Sequence, residues 1–425
     1  MPTNSSDSPR ALPDRPNLRH VKDQAKDLLK AGGAESLTDA QFKIAHLYGF
    51  ASWPKLKAYV DSLEEIGQLK LAIDTNEFER VKSLMTRNPS LHRAPLGYGK
   101  NGPLTWAAEC RVPYEPPSPA RLAIAQWMID NGSDVHQGGD GPLMRAALKG
   151  DRIPMMELLL RHGANVNAEW NGYFPIIFAP CETVDAAALK WLLDHGADPN
   201  CARPDRKYPG TALDYVIGSY WRSTQLSACI DILLDAGAVT KYEVPSVLDI
   251  LRGRIDRLAE RLDAEPSLLD RRFPELDFGS TAERRLLLRG ATLLHVAAEY
   301  CNVEAATLLL DRGADVNAHA RLEEAGVGGQ TPIFHSATQF GDYGLEVTRL
   351  LLDRGADLSV RVKLPGHYKR PEAIVECTPL GTPCCFLEND GRVKGKLWRY
   401  CEREAPRNDC HPVLSQGLSG PIRES

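Results

Sequence analysis

No apolar stretch of about 18 residues, the length a membrane-crossing helix needs, occurs in the 425 residues of this chain. The first residues, Met1 to Pro16, are rich in Ser, Pro and Asp and lack the apolar core of a signal peptide. They read as a disordered leader. Signatures of common chemistries are missing too. There is no glycine-rich phosphate loop ending in Lys and Ser/Thr, no Gly-x-Ser-x-Gly elbow and no His-Glu-x-x-His pair. Cys-x-x-Cys pairs are absent, and the ten cysteines are scattered, as expected of free thiols in a reducing compartment rather than a disulfide framework. Charge is balanced, at −5 overall with 25% charged residues, and no dense basic stripe offers a footprint for nucleic acid. These absences predict a cytoplasmic protein with no catalytic residues, no metal, no cofactor and no membrane attachment.

What is present is an echo. An apolar, mostly leucine-rich segment ends in Gly and a small residue, usually followed by Asp or Asn, at Gly132, Gly163, Gly196, Gly237, Gly313 and Gly355. Successive glycines lie 31, 33, 41, 76 and 42 positions apart, the fourth being two periods of roughly 38. Gly fits just beyond a helix because the chain there turns left-handed, which other residues resist. Helix starts follow, including Gly102-Pro103-Leu104, Gly141-Pro142-Leu143, Thr331-Pro332-Ile333 and the variant Thr292-Leu293-Leu294-His295. Thr caps a first turn, and Pro preorganises a residue whose N–H has no partner there. The pairs Ala107-Ala108, Ala146-Ala147 and Ala297-Ala298 then let the first helix of each unit approach its neighbour closely. The unit is helix, turn, helix, Gly stop and polar hairpin-like loop.

The run Gly290-Ala291-Thr292-Leu293-Leu294-His295-Val296-Ala297-Ala298 through Leu310-Asp311-Arg312-Gly313-Ala314-Asp315-Val316-Asn317 resembles the ankyrin repeat family, in its bacterial form. The resemblance covers about 67 to 380. Most units lack the box histidine, and Arg111 to Pro119 is a Pro-rich insertion. Two stretches, Val81 to Leu91 and Leu258 to Leu268, replace the glycine turn with Pro-Ser-Leu and count as divergent units, giving seven or eight. The predicted fold is all-α: a solenoid of stacked helix-turn-helix units with short β-hairpin loops, preceded by a small helical cap. The predicted organisation is 1–16 leader, 17–66 cap module, 67–362 array, and 363–425 an aborted repeat with an unpatterned, disordered tail. After Thr378-Pro379-Leu380-Gly381 no leucine-faced helix pair follows, so the last 40 or so residues read as foreign to the array, as a shifted reading frame would produce. The terminal unit is then expected to leave Ile333, Leu350 and Leu351 without cover and to fray first. Cys377, Cys384, Cys385, Cys401, Cys410 and His411 cluster near this end, but their spacing suits zinc poorly.

In the cap module, helices are expected over Leu18–Leu29, about Asp39–Tyr48 and from Trp53 onward. The last two could form a helix-turn-helix around Gly49, but Trp53 and Pro54 occupy the start of its reading helix, where polar side chains are wanted. His162 and His195 sit at helix ends, where a cation suits the dipole. Asp134, Asn165, Asp198, Asp315 and Asp357 read as turn residues bonding their own backbone. The resemblance implies that His295 ties its turn to the neighbouring repeat, and that a partner docks on the concave face and hairpin tips. The matching positions are Trp170, Asn171 and Tyr173; Arg203, Asp205, Arg206 and Tyr208; Arg321, Glu323 and Glu324; and, after the Ala pairs, Glu109, Leu148, Glu299 and Tyr300. Aromatic and Arg anchors are what interface hot spots favour, although Trp170 could equally cover its own neighbour. The expectation is a monomeric scaffold that binds another protein. A DNA-associated regulator and an enzyme with a site formed across repeats are the alternatives.

Overall fold

The computed structural model describes residues 10, 12–13, 17–96, 101–111, 114–202, 210–218, 222–279, 286–323, 326–339, 342–365 and 373–379. The predicted leader lies almost wholly outside them, as does everything beyond 379. Two compact units divide the chain: residues 1–147 with 151–172, and residues 148–150 with 173–425.

The first unit opens with α1 (Leu18–Lys30), α2 (Leu37–Leu47) and α3 (Trp53–Asp74). Asn17 caps α1 by accepting from the His20 N–H at 2.8 Å, and Ser36 caps α2 through the Asp39 N–H at 3.1 Å. Val21, Ala25, Ala40, Ile44, Ala45, Leu56 and Val60 close a small core among the three. The 66/67 boundary expected between cap and array falls inside α3, which runs unbroken for 22 residues. One helix thus completes the N-terminal module and pairs with α4 (Phe78–Arg87). There follow α5 (Pro103–Glu109) and α6 (Pro119–Asp130), then α7 (Gln137–Ala146) and α8 (Ile153–Arg161), and the two-residue strand β1 (Glu169–Trp170). The start of α7 is no ordinary helix. Gly138, Gly139 and Asp140 form a left-handed turn, with φ of 69°, 73° and 55°.

The second unit carries the strand β2 (Phe174–Pro175) and five helix pairs: α9 (Phe178–Thr183) with α10 (Ala186–Asp194), α11 (Ala212–Gly218) with α12 (Leu226–Asp235), α13 (Pro245–Leu251) with α14 (Ile255–Ala264), α15 (Leu293–Glu299) with α16 (Val303–Asp311), and α17 (Pro332–Ala337) with α18 (Leu345–Asp353). Every residue of α15 is buried. Ala297 and Ala298 keep that helix slim enough to lie between its neighbours, while α16 buries Ala305, Ala306 and Leu309. The degenerate pair expected between Gly237 and Gly313 is α13–α14. It ends in a 3-10 turn, Pro266–Leu269, matching the 3-10 turn Pro89–Arg93 that follows α4.

Each of the six echoed glycines has positive φ, between 83° and 110°. The hydrogen bonding repeats from turn to turn. The N–H of Gly163 donates to Leu160 and that of Ala164 to Leu159, and the same pair recurs at Gly196, Gly237, Gly313 and Gly355. This is the Schellman closure of a helix end. The acidic or amide residue that follows accepts from the backbone two residues on, at Asp134, Asn165, Asp198, Asp315 and Asp357 (2.8–2.9 Å). Their turn role is thereby accounted for.

Beyond Asp357 the chain is more ordered than its pattern suggested. Strands β3 (Val362–Pro365) and β4 (Ile374–Cys377) pair antiparallel, Val362 opposite Cys377 and Pro365 opposite Ile374. Val362, Leu364 and Cys377 are buried. The Gly328 N–H donates to Lys363 O at 2.8 Å, joining β3 to the preceding repeat loop. Ile333 and Leu351 are fully buried and Leu350 is half-buried, so the expectation that they lack cover is corrected for the first two: the hairpin continues the structure past the last helix pair.

Candidate partner-binding site

In the first unit the inner helices bring aromatic and charged side chains into one row. Lys70 Nζ lies 3.9 Å from the centre of the Trp106 ring, and Trp106 Nε1 donates to Asp74 at 2.7 Å. Glu109, the last residue of α5, faces Arg145 on α7 at 3.8 Å and Arg111 at 3.9 Å. The Arg145 guanidinium sits 5.6 Å from the Trp170 ring. Arg111 is well exposed, while Glu109 itself is buried. Behind it, buried Arg121 donates to Asn76 Oδ1 at 2.6 Å and to the Ala107 and Asp74 carbonyls at 3.4 Å. Burial lowers its pKa, against the opposing pull of Cys110 and Asp74.

The second unit repeats this register and closes it. Glu299 ends α15 and meets His335 on α17, 36 residues on, with His335 Nδ1 donating to Glu299 Oε2 at 2.8 Å. A third group enters from the α11–α12 connection. Arg222 Nη2 donates to Glu299 Oε1 at 2.7 Å and its Nε to the Glu299 carbonyl at 3.2 Å. The guanidinium lies 4.3 Å from the centre of the Tyr300 ring. Gln339 Nε2 also donates to the Glu299 carbonyl, at 2.9 Å. Burial alone would lower the Arg222 pKa, but Tyr300 and Glu299 reverse that and raise it. A cleft of about 280 Å³ opens beside Arg222, lined also by Ser223, Thr224, Tyr300, Cys301 and Glu304.

Successive turns are tied by side chains. His295 Nδ1 accepts from the Thr292 N–H at 3.2 Å, and Nε2 reaches the Gln330 carbonyl at 3.0 Å. This arrangement requires a neutral ring, and burial holds the His295 pKa well below its ordinary value. Asn200 bridges to the Gly237 carbonyl and the Val239 N–H; Asn317 does the same to Gly355 and Asp357. On the outer side, Arg312 bonds to Asp263 and Arg354 to Asp311, from the slot that His162 and His195 occupy elsewhere.

The sequence matches the family model of ankyrin repeats, in three copies, over residues 119–203 and 267–362. The chain carries ankyrin repeats over these stretches. Among solved structures, the ankyrin repeat domain of human ASB11 is similar over 60% of this chain and 99% of that domain, at 21% identity and a TM-score of 0.34. No match is found among curated proteins. The interval between the two matched stretches contains the degenerate pair α13–α14, where the ankyrin turn chemistry is missing.

Against this ankyrin frame, the residues expected at the interface separate into three groups. Tyr173, Arg321 and Glu323 are exposed at loop tips, as is Asn171, which takes a left-handed conformation (φ 52°). Trp170, Glu299 and Tyr300 are buried. Trp170 lies beside Gly141 and the Arg145 guanidinium, and Arg222 covers Glu299 and Tyr300. Arg203, Asp205, Arg206, Tyr208 and Glu324 lie outside the described residues, as do Cys384, Cys385, Cys401, Cys410 and His411. Among the described residues no cluster of three metal-ligating side chains occurs, and no helix is long and apolar enough to cross a membrane. Sequence reasoning missed Leu322, which is 61% exposed at the tip between Arg321 and Glu323. Its signal was an apolar residue inside a polar loop. Arg222 was missed as well, and nothing in the repeat pattern marks it.

Proposed function

We propose that this protein is a non-catalytic scaffold that binds another protein through its loop tips. Ankyrin repeats in general mediate protein–protein interaction. The observation that carries the reading here is the tip, residues 320–323 and 326–330. Its backbone is held by Ala320 N–H to Gln330 O, Arg321 N–H to Gly290 O, Glu323 N–H to Val327 O and Gly328 N–H to Lys363 O. On this pinned backbone Leu322 stands exposed between a cation and an anion. Hydrogen-bonded backbone that carries exposed apolar area is preorganised for contact, because less conformational entropy is left to lose on binding.

A photo-crosslinking residue at position 322 tests this against the same residue at 260, on the exposed face of α14. In cells, position 322 should capture one discrete protein, and adding Arg321→Ala should weaken that capture. Equal labelling from 322 and 260 would remove the support for tip-mediated binding.

A further inference from the structure

The group that buries Glu299 comes from 77 residues upstream in the chain, and it is not part of the repeat pattern. In the first unit the corresponding acid, Glu109, is buried too; it faces the cation of the next inner helix in the same register, with its sequence neighbour Arg111 at 3.9 Å. In the second unit the arginine beside the acid is Arg222, brought from far away in the chain. The surroundings suit a guanidinium in particular. A carboxylate oxygen and a main-chain carbonyl of one residue accept from two of its nitrogens, and the Tyr300 ring lies 4.3 Å away. A planar fork with an aromatic neighbour is arginine chemistry; a lysine ammonium would satisfy it poorly.

We infer that Glu299 and Tyr300 form an arginine socket occupied in cis by Arg222, and that an arginine side chain on an extended segment of a partner protein competes for it. The inference rests on the reading of this protein as a partner-binding scaffold and specifies one chemical feature of the partner. Residues 222–225, on the described side of the connection, lie outside any helix or strand. The cleft beside them, at about 280 Å³, falls just below the usual range of small-molecule pockets, roughly 300–1,000 Å³, and is sized for a side chain. Its lining includes exposed Glu304 together with Ser223 and Thr224, so an acid stands in the cleft beside the socket. Arg222 holds the advantage of being tethered, and a competing arginine must exceed that effective concentration. The connection therefore acts as a built-in competitor that sets a threshold for binding.

The test uses the full chain. Arg222→Ala should lower the Tm, and N-acetyl-arginine amide should recover part of the loss while N-acetyl-lysine amide should not. In the wild-type protein, a short arginine-containing peptide in excess should raise amide exchange at 222–226 severalfold, with the lysine peptide ineffective. Absence of arginine-selective recovery would show that the socket does not select a guanidinium. Recovery in the variant with no change in wild-type exchange would show that Arg222 is not displaced, and the competition would fall. Should Arg222→Ala fail to fold, the wild-type exchange measurement decides by itself. Crosslinking from position 322 reports the scaffold reading separately, because it does not involve the socket.

Discussion

Gly313 and Gly139 both have positive φ, at 93° and 73°, but a side chain would meet different obstacles at each. At Gly313 an added Cβ has nothing within 4 Å, so substitution costs only the left-handed conformation. That penalty is roughly 1–2 kcal/mol for an L-residue. At Gly139 the same atom would lie 2.2 Å from the Glu169 carbonyl oxygen, a backbone atom that cannot swing away. Gly139→Ala should therefore destabilise clearly more than Gly313→Ala, and urea unfolding of the two variants measures the difference. Equal midpoints would mean that the left-handed turn at Gly138–Asp140 relaxes instead of holding its place. The same distinction separates residues that keep the turns in shape, such as Asn317, from those exposed at loop tips, such as Tyr173 and Leu322.

Among the elements, the β3–β4 hairpin changes the expectation for the end of the array. A terminal repeat needs a cover for its apolar flank, because each unit buries one side against the next. With Ile333 and Leu351 fully buried and Gly328 bonded to Lys363, the hairpin supplies structure where the repeat pattern stops. Truncation after residue 379 should leave amide exchange in α17 and α18 unchanged. Truncation after residue 360 should accelerate it roughly tenfold or more, equivalent to about 1.4 kcal/mol of local stability. Indifference of α18 to both truncations would show that the hairpin is no cap. The hairpin was partly legible in sequence, since Val362 and Leu364 point in while Lys363 points out. Four residues of alternation are too short a signal to stand out beside a helical period spanning the whole array.

For the whole molecule, acid sensitivity follows from its buried histidines. His295 is held neutral by burial, with its pKa well below the ordinary value, and burial lowers that of His92 in the first unit too. A depressed histidine pKa means that the unfolded chain takes up a proton the folded chain refuses. Stability from these groups is complete above the unfolded value of about 6.5 and is lost as pH falls below it, by up to about 1.4 kcal/mol per pH unit for each histidine. Urea midpoints should decline from pH 7.5 to 5.5. His295→Gln, less stable at neutral pH, should decline less steeply. Parallel slopes for variant and wild type would show that His295 does not refuse the proton.

The repeat architecture was legible along the chain because its causes are local. A glycine that turns left-handed, a Thr-Pro helix start and an Ala pair act over a few residues and recur, so Gly163, Gly313 and Ala297-Ala298 announced their roles directly. Even the degenerate α13–α14 pair could be read, from Pro266-Ser267-Leu268 echoing Pro89-Ser90-Leu91. Which surfaces remain open was settled by long-range contacts. Position by position, Glu299 and Tyr300 belonged to the inner face, and so did Trp170 to a tip. Arg222 crosses 77 residues of chain to cover the first two, and Trp170 lies beside Gly141 and the Arg145 guanidinium. Burial depends on what else arrives in three dimensions, and no periodicity along the chain encodes the arrival of a single arginine.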